Sequence, residues 1–214
     1  DKPVIKYYSK NGISDLLDTA IKDKEIINNR FAMNYTDGKN KLDLVLTYTS
    51  NYSSTIVPYV NAGLTESGQH ITQLKTIFTR EMNKFFKEKK WLKEKDENLS
   101  GDDINEGLYF VFNLTCAGVA YDAQVKSRVS KIDMKPFTSP FAEALNHWLH
   151  ANEKEVKIIA DKAIGARKTR EAAKKARDAA RAIDKKKKEK VLKFDSKLAD
   201  CYSKDRKKCE IYIT

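Results

Sequence analysis

A chain of 214 residues with 41% apolar and 33% charged residues can bury a core of one or two domains and fits a soluble protein. No apolar run approaches the roughly 18 residues of a membrane span, and the start Asp1-Lys2-Pro3 lacks the layout of a signal peptide. The three cysteines, Cys116, Cys201 and Cys209, form no CxxC pair, which argues against a zinc site and fits a reducing compartment, while a formal net charge of +11 points to a polyanionic partner.

The residue pattern predicts the following elements in chain order. Val4 to Tyr8 is a short β-type run, and a helical pattern follows through Leu16, Leu17, Ala20 and Ile21, with Ser14 or Asn11 as its cap. Arg30 to Tyr35 and Leu42 to Tyr48 are β-rich and flank Asp37-Gly38, a hairpin signal. Thr55 to Val60 is a further strand, which Pro58 confines to an edge or a bend. Gly63 to His70 reads as a loop. Ile71, Leu74, Ile77, Phe78, Met82 and Phe85 then recur at helical spacing.

Lys87 to Asn98 is a charged connector. Asp102, Asp103 and Glu106 form an acidic cluster that reads as a helix-capping turn rather than a metal site. Leu108 to Leu114 is an apolar and aromatic run and predicts a buried central strand. Gly118 to Ser130 is loop-like. Ser139-Pro140 places proline at a first helical position, ahead of Phe141, Leu145, Trp148 and Leu149. A last helix is expected from about Ala151 to Lys190, on the order of 55–60 Å long. Its apolar stripe, Val156, Ile159, Ala160 and Ala163, thins to alanine after Gly165. Alanine favours helix but buries little surface, so the second half is expected to stand off the core or to pack closely on another helix. Strands mixed with helices, with one helical extension, make an α+β or α/β fold.

From Gly165 to Lys190 there are twelve Lys or Arg against four Asp or Glu, so this window alone carries +8. Such a concentration is an electrostatic footprint for nucleic acid, although a solvated face laced with pairs such as Glu171 and Lys175 is the plainer reading. No nucleophile elbow, HExxH, P-loop or GxGxxG occurs in the chain. His147 and His150 lie three apart without Cys or carboxylate partners at ligand spacing, which points to packing or surface roles. In Asp122 to Arg128, Gln124 and Lys126 would point the same way from an extended segment. An amide beside a point charge suits a phosphate oxygen.

In order and spacing, these pieces resemble the ATPase-bearing subunit of type IIA DNA topoisomerases: the B subunit of bacterial gyrase, its topoisomerase IV counterpart, or a phage relative. The residues that carry the resemblance are Leu99-Ser-Gly-Asp-Asp-Ile-Asn-Glu-Gly-Leu108, Gln124-Val-Lys126, the basic helix from Ala166 to Arg181, Lys197-Leu-Ala-Asp-Cys201 and Glu210-Ile-Tyr-Ile213. Three segments depart from the family pattern: Val125 stands for Thr, Ser67-Gly-Gln-His70 for Gly-Gly-Thr-His, and Asp195-Ser196 for Pro-Gly.

The resemblance implies a ribosomal-S5-domain-2-like transducer fold over 1–190, and a linker with the first strand of a Toprim domain over 191–214. It implies ATP γ-phosphate binding by Gln124 and Lys126. It also implies that the family's nucleotide pocket lies upstream and its Mg²⁺-binding acidic motif just after Thr214. The complete enzyme is then expected to use ATP and Mg²⁺, to pair with a gyrase A-like cleavage subunit, to dimerise through its ATPase region and to act in the cytoplasm of a bacterium or phage host, without a membrane. On charge, Arg167, Arg170, Lys174, Arg177 and Arg181 are the expected contacts to double-stranded DNA. A sequence-independent nucleic-acid-binding S5-like module without ATP coupling is the alternative, and a structural coiled coil a weaker one, because the alanine stripe breaks heptad spacing.

Overall fold

A computed structural model describes residues 9–122, 124, 126–194 and 205–208 of the chain, which divides into two units, Asp1–Lys168 and Thr169–Thr214. The expected strand at Val4 to Tyr8 lies outside the described residues, as do Val125, Asp195-Ser196, Lys197 to Cys201 and Glu210 to Ile213.

In the first unit the hairpin forms as expected. β1 (Phe31–Asp37) and β2 (Asn40–Tyr48) pair antiparallel in the register Asp37↔Asn40. The loop is Gly38-Lys39, and Gly38 takes φ 56 at its first central position, as a primed two-residue hairpin turn demands. β2 then pairs antiparallel with β6 (Leu108–Thr115), which pairs on its other side, in parallel, with β3 (Thr55–Val60). A two-residue β4 (Gly63–Leu64) completes a five-stranded sheet of order β1-β2-β6-β3-β4.

β6 is central because both of its faces are covered. Phe110, Phe112 and Leu114 point into the main core, and Tyr109 and Val111 into a smaller one under α1 (Ile13–Ile21). A strand buried on both sides is apolar on both faces, which is why Leu108 to Phe112 shows no alternation; the polar Asn113 follows where burial becomes partial. The main core is closed by α2 (Gln69–Glu88), α4 (Lys135–Ala151) and the first part of α5 (Glu153–Phe194), through Leu74, Phe78, Met82 and Phe85, Phe137, Phe141 and Leu145, and Val156, Ile159 and Ala163. Lys162 fixes α5 to the end of the sheet, its ammonium donating to the Thr49 and Asn51 carbonyls at 2.5 Å each.

Four expectations change. The α1 cap is Gly12, without a side-chain bond; the Asp15 carboxylate instead accepts from the Asn11 amide at 3.0 Å and the Ser9 hydroxyl at 2.7 Å. Pro58 is not on an edge strand. It is tolerated because β4 pairs only with Tyr59 and Val60, while the Pro58 carbonyl accepts from Thr65 N at 2.9 Å and Oγ1 at 3.1 Å. α4 begins at Lys135, so Pro136 occupies its first turn and Pro140 lies inside the helix. Phe137 and Phe141, one turn apart and fully buried, hold that segment helical despite the hydrogen bond Pro140 removes. The loop-like stretches Gly63–His70 and Gly118–Ser130 contain short strands: β5 (Ser67–Gly68), β7 (Ala120–Tyr121) and β8 (Arg128–Lys131) form a second sheet of order β5-β8-β7.

α3 (Gly101–Asn105) opens with the capping turn expected of the acidic cluster. Ser100 Oγ accepts from Asp103 N at 3.2 Å, and the Asp103 carboxylate accepts from Ser100 N at 3.0 Å. α5 begins two residues later and ends four residues further on than the expected span of about 151–190. In the second unit, every described side chain from Thr169 to Lys185 is exposed, as an alanine-rich stripe predicts. Among the described residues, no helix is long and apolar enough to cross a membrane.

Candidate functional site

The segment that holds Gln124 and Lys126 is a loop with a tied base. β7 and β8 pair antiparallel with Tyr121 opposite Val129. Just beyond, Asp122 N donates to the Arg128 carbonyl at 3.1 Å, and the Asp122 carboxylate meets Arg128 Nε at 3.0 Å. The Ser127 carbonyl accepts from Glu66 N at 2.7 Å, which ties the far end of the loop to the start of β5. Closing a loop this short forces a turn. Gln124 accordingly sits in a turn and Lys126 has φ 59, so the extended geometry expected for the pair is not formed. Both side chains are nonetheless exposed, and the Lys126 ammonium stands 5.8 Å from the centre of the Tyr121 ring.

Beside this loop lies a polar hollow of about 690 Å³ between Gln69 and Thr72 at the N-terminus of α2 and Asp122, Arg128 and Ser130. α2 has no side-chain cap, so the positive end of its dipole faces this side. Gly68 is required there. It has φ 145, and an added Cβ would sit 2.6 Å from the Val129 carbonyl. His70, the second residue of α2, is fully buried. Thr65 Oγ1 donates to the Pro58 carbonyl, so the 2.9 Å contact between His70 Nε2 and Thr65 Oγ1 makes Nε2 the protonated nitrogen. Burial pulls the His70 pKa down to about 4, so the imidazole is neutral at physiological pH. It packs edge-on to Phe112 at 5.9 Å and serves the core.

The helix cations separate into two groups. Arg167 lies in the first unit, half-buried, and donates to the Glu97 carbonyl at 3.1 Å. Arg170, Lys174, Arg177 and Arg181 lie in the second unit, all exposed, at steps of four, three and four that place them on one helix face. Another basic surface escaped the sequence reading. Lys75, Arg80, Lys84 and Lys87 line a groove of about 800 Å³ along α2, whose far wall is Asn98 and Leu99. Asn83 clamps that wall, donating to the Leu99 carbonyl at 3.0 Å and accepting from Leu99 N at 2.8 Å. The cations were legible on the polar face of α2, but the wall that makes a groove of them was not. His150 has a packing role, edge-on to the Phe85 ring at 5.0 Å and 3.6 Å from the Glu88 carboxylate. Among the described residues, no three His, Cys, Asp or Glu gather as a metal site.

A sequence model of the DNA gyrase B family matches residues 12–179. The DNA gyrase B protein of Clostridium acetobutylicum is 33% identical over 220 residues, which cover 100% of this chain and 33% of that protein. Its Mycobacterium tuberculosis counterpart is 32% identical over 176 residues, covering 81% of this chain and 26% of its own length. The chain thus spans about a third or less of the length of these relatives. Among solved structures, the 43K ATPase domain of Thermus thermophilus gyrase B, in complex with an aminocoumarin, superposes with a TM-score of 0.68 at 24% identity over 81% of this chain and 47% of that one. The topoisomerase IV ATP-binding domain of Francisella tularensis, in complex with a small-molecule inhibitor, gives 0.63 at 22% identity over 78% and 45%. These two likenesses speak for the fold. With the family match over most of the chain and a relative at one-third identity along its whole length, the chain belongs to the DNA gyrase B family.

Proposed function

We propose that this chain is the transducer segment of an ATP-dependent type II DNA topoisomerase, with an S5-like domain over 1–190 and the start of a Toprim domain over 191–214. It couples the nucleotide state of the enzyme to gate closure and DNA strand passage. The observation that carries the reading is the Lys126 loop: an exposed lysine, backed by a neutral ring, on a turn whose two ends are tied to β5 and β8.

The residues present fit one end of a nucleotide. Lys126 offers N–H donors and a full charge to the γ-phosphate oxygens, and Gln124 offers an amide. Bound ATP supplies a phosphate whose presence or loss the loop can sense; in this reading Mg²⁺ and the other nucleotide contacts belong to residues outside the chain. The base of the loop passes through β8 and β5 into the N-terminus of α2, so a pull on Lys126 bears on an element of the core. The core in turn holds α5 through Val156, Ile159, Ala163 and Lys162.

The DNA-facing surface of this reading is the stripe Arg170, Lys174, Arg177 and Arg181, with Arg167 contributing less because it is already bonded to Glu97. The groove of α2 adds a second basic surface. Such contacts address phosphates and carry no base sequence. The partners are double-stranded DNA, a gyrase A-like cleavage protein and a second copy of the complete protein, in the cytoplasm of a bacterium or of a phage's host. The exposed stripe also supports the alternative of a nucleic-acid-binding module without ATP coupling. Lys126→Ala in the complete protein separates the two. Loss of ATP-dependent relaxation with DNA binding retained is expected of a transducer, and unchanged relaxation would favour the module.

A further inference from the structure

We propose that Tyr121 is a positioning residue for Lys126, its ring holding the ammonium oriented towards an incoming phosphate. This rests on the reading of Lys126 as a phosphate sensor. Three observations carry it. Lys126 Nζ stands 5.8 Å from the Tyr121 ring centre, within the range of a cation–π contact. Tyr121 is itself fixed, half-buried against the main core and paired with Val129 of β8. Tyr121 ends β7 and Lys126 lies in the loop that follows it, whose base is tied by Asp122 and Arg128, so ring and lysine backbone share one frame. Desolvation raises the Tyr121 phenol above its ordinary pKa, so the ring meets the cation as a neutral aromatic face.

The physical gain is orientation. A lysine side chain on an open loop loses rotamer freedom when a ligand fixes it. A ring that confines the stem beforehand reduces that loss. A cation on a π-face keeps its outward N–H donors, so the phosphate approaches from the open side without displacing the ring. The left-handed backbone at Lys126 completes the arrangement by setting the direction in which the side chain leaves the loop.

The test is a double-mutant cycle in the complete protein with its cleavage subunit, titrated with ATP. Tyr121→Leu should raise the ATP concentration for half-maximal hydrolysis and relaxation roughly two- to fivefold, with the maximal hydrolysis rate little changed. Tyr121→Phe, which keeps the ring, should match wild type. In a Lys126→Met background, Tyr121→Leu should add nothing. The same shift in that background would mean that Tyr121 acts through the fold and not through the lysine, and a lower ATP requirement in Tyr121→Leu would mean that the ring holds the lysine back; either overturns the inference. A silent Lys126→Met would bring down the phosphate-sensor reading itself, whereas an effect of Lys126→Met with none of Tyr121→Leu would bring down the positioning role alone. Should Tyr121→Leu fail to fold, a direct readout remains. In protein reductively methylated with ¹³C, the Lys126 signal, assigned by its loss in Lys126→Arg, should lie upfield of the other lysines. A signal among the bulk lysines overturns the contact.

Discussion

At His70, burial decides charge. The ring is fully buried, and its folded pKa is about 4 against an ordinary 6.5. Below pH 6.5 the unfolded chain takes up a proton that the folded one refuses, so stability present above that pH is lost as the pH falls towards 4. The loss approaches about 3 kcal/mol once both forms are protonated. Asp15 does not overlap this window, because bonds from Ser9 and then Asn11 hold its carboxyl below the usual carboxylate range. Denaturant unfolding between pH 7 and 4.5 should therefore show a slope that His70→Leu flattens. An unchanged slope in the variant would place its source elsewhere. Residues of this kind were half legible: Gly68 and His70 lie in the segment Ser67 to His70 that was set against the family pattern, but the role of His70 depended on Thr65 and Pro58, which only the β3–β4 hairpin brings to it. Tyr121 gave no signal, since a two-residue strand has no periodicity to read.

Among the elements, those with long periodic patterns or a sustained apolar run were legible: the β1–β2 hairpin, α2 and the stripe of α5 by their patterns, β6 by its run. Those whose ends depend on tertiary contacts were not. The start of α4 was misplaced because Pro140 looked like a first-turn proline, whereas buried Phe137 extends the helix backwards to Lys135. α5 itself allows two sharp tests. Gly165 is helical, and a Cβ added there meets nothing within 4 Å. Gly165→Ala should stabilise by roughly 0.5–1 kcal/mol, seen as a higher midpoint of unfolding; a lower midpoint would mean that the helix needs the glycine. Ala173→Pro, at an exposed position inside α5, should cost about 3 kcal/mol locally by removing a hydrogen bond and kinking the rod. In the complete enzyme it should leave ATP binding intact while relaxation drops sharply. Normal relaxation would show that a continuous α5 is not what transmits the nucleotide state.

For the whole molecule, charge is concentrated on the segment proposed to face DNA. Of the net +11, the window 165–190 carries +8 in excess of its own acids. Four exposed cations on one face of α5, each neutralising a phosphate, imply that log K for duplex DNA falls against log[salt] with a slope of roughly −3.6, regardless of sequence. Titrations at several salt concentrations with Arg170, Lys174, Arg177 and Arg181 present or replaced by Gln would show it. A slope untouched by the replacements would assign the binding to other surfaces, such as the groove of α2. Charge alone, however, is shared by any nucleic-acid-binding module, and coupling is what distinguishes a transducer from one. The most direct test is to count ATP molecules hydrolysed per strand-passage event in the complete enzyme, wild type against Lys126→Ala, at saturating ATP and DNA. A phosphate-sensing transducer predicts many more ATP consumed per event in the variant, or hydrolysis without passage. A ratio equal to that of wild type, at equal rates, would contradict it.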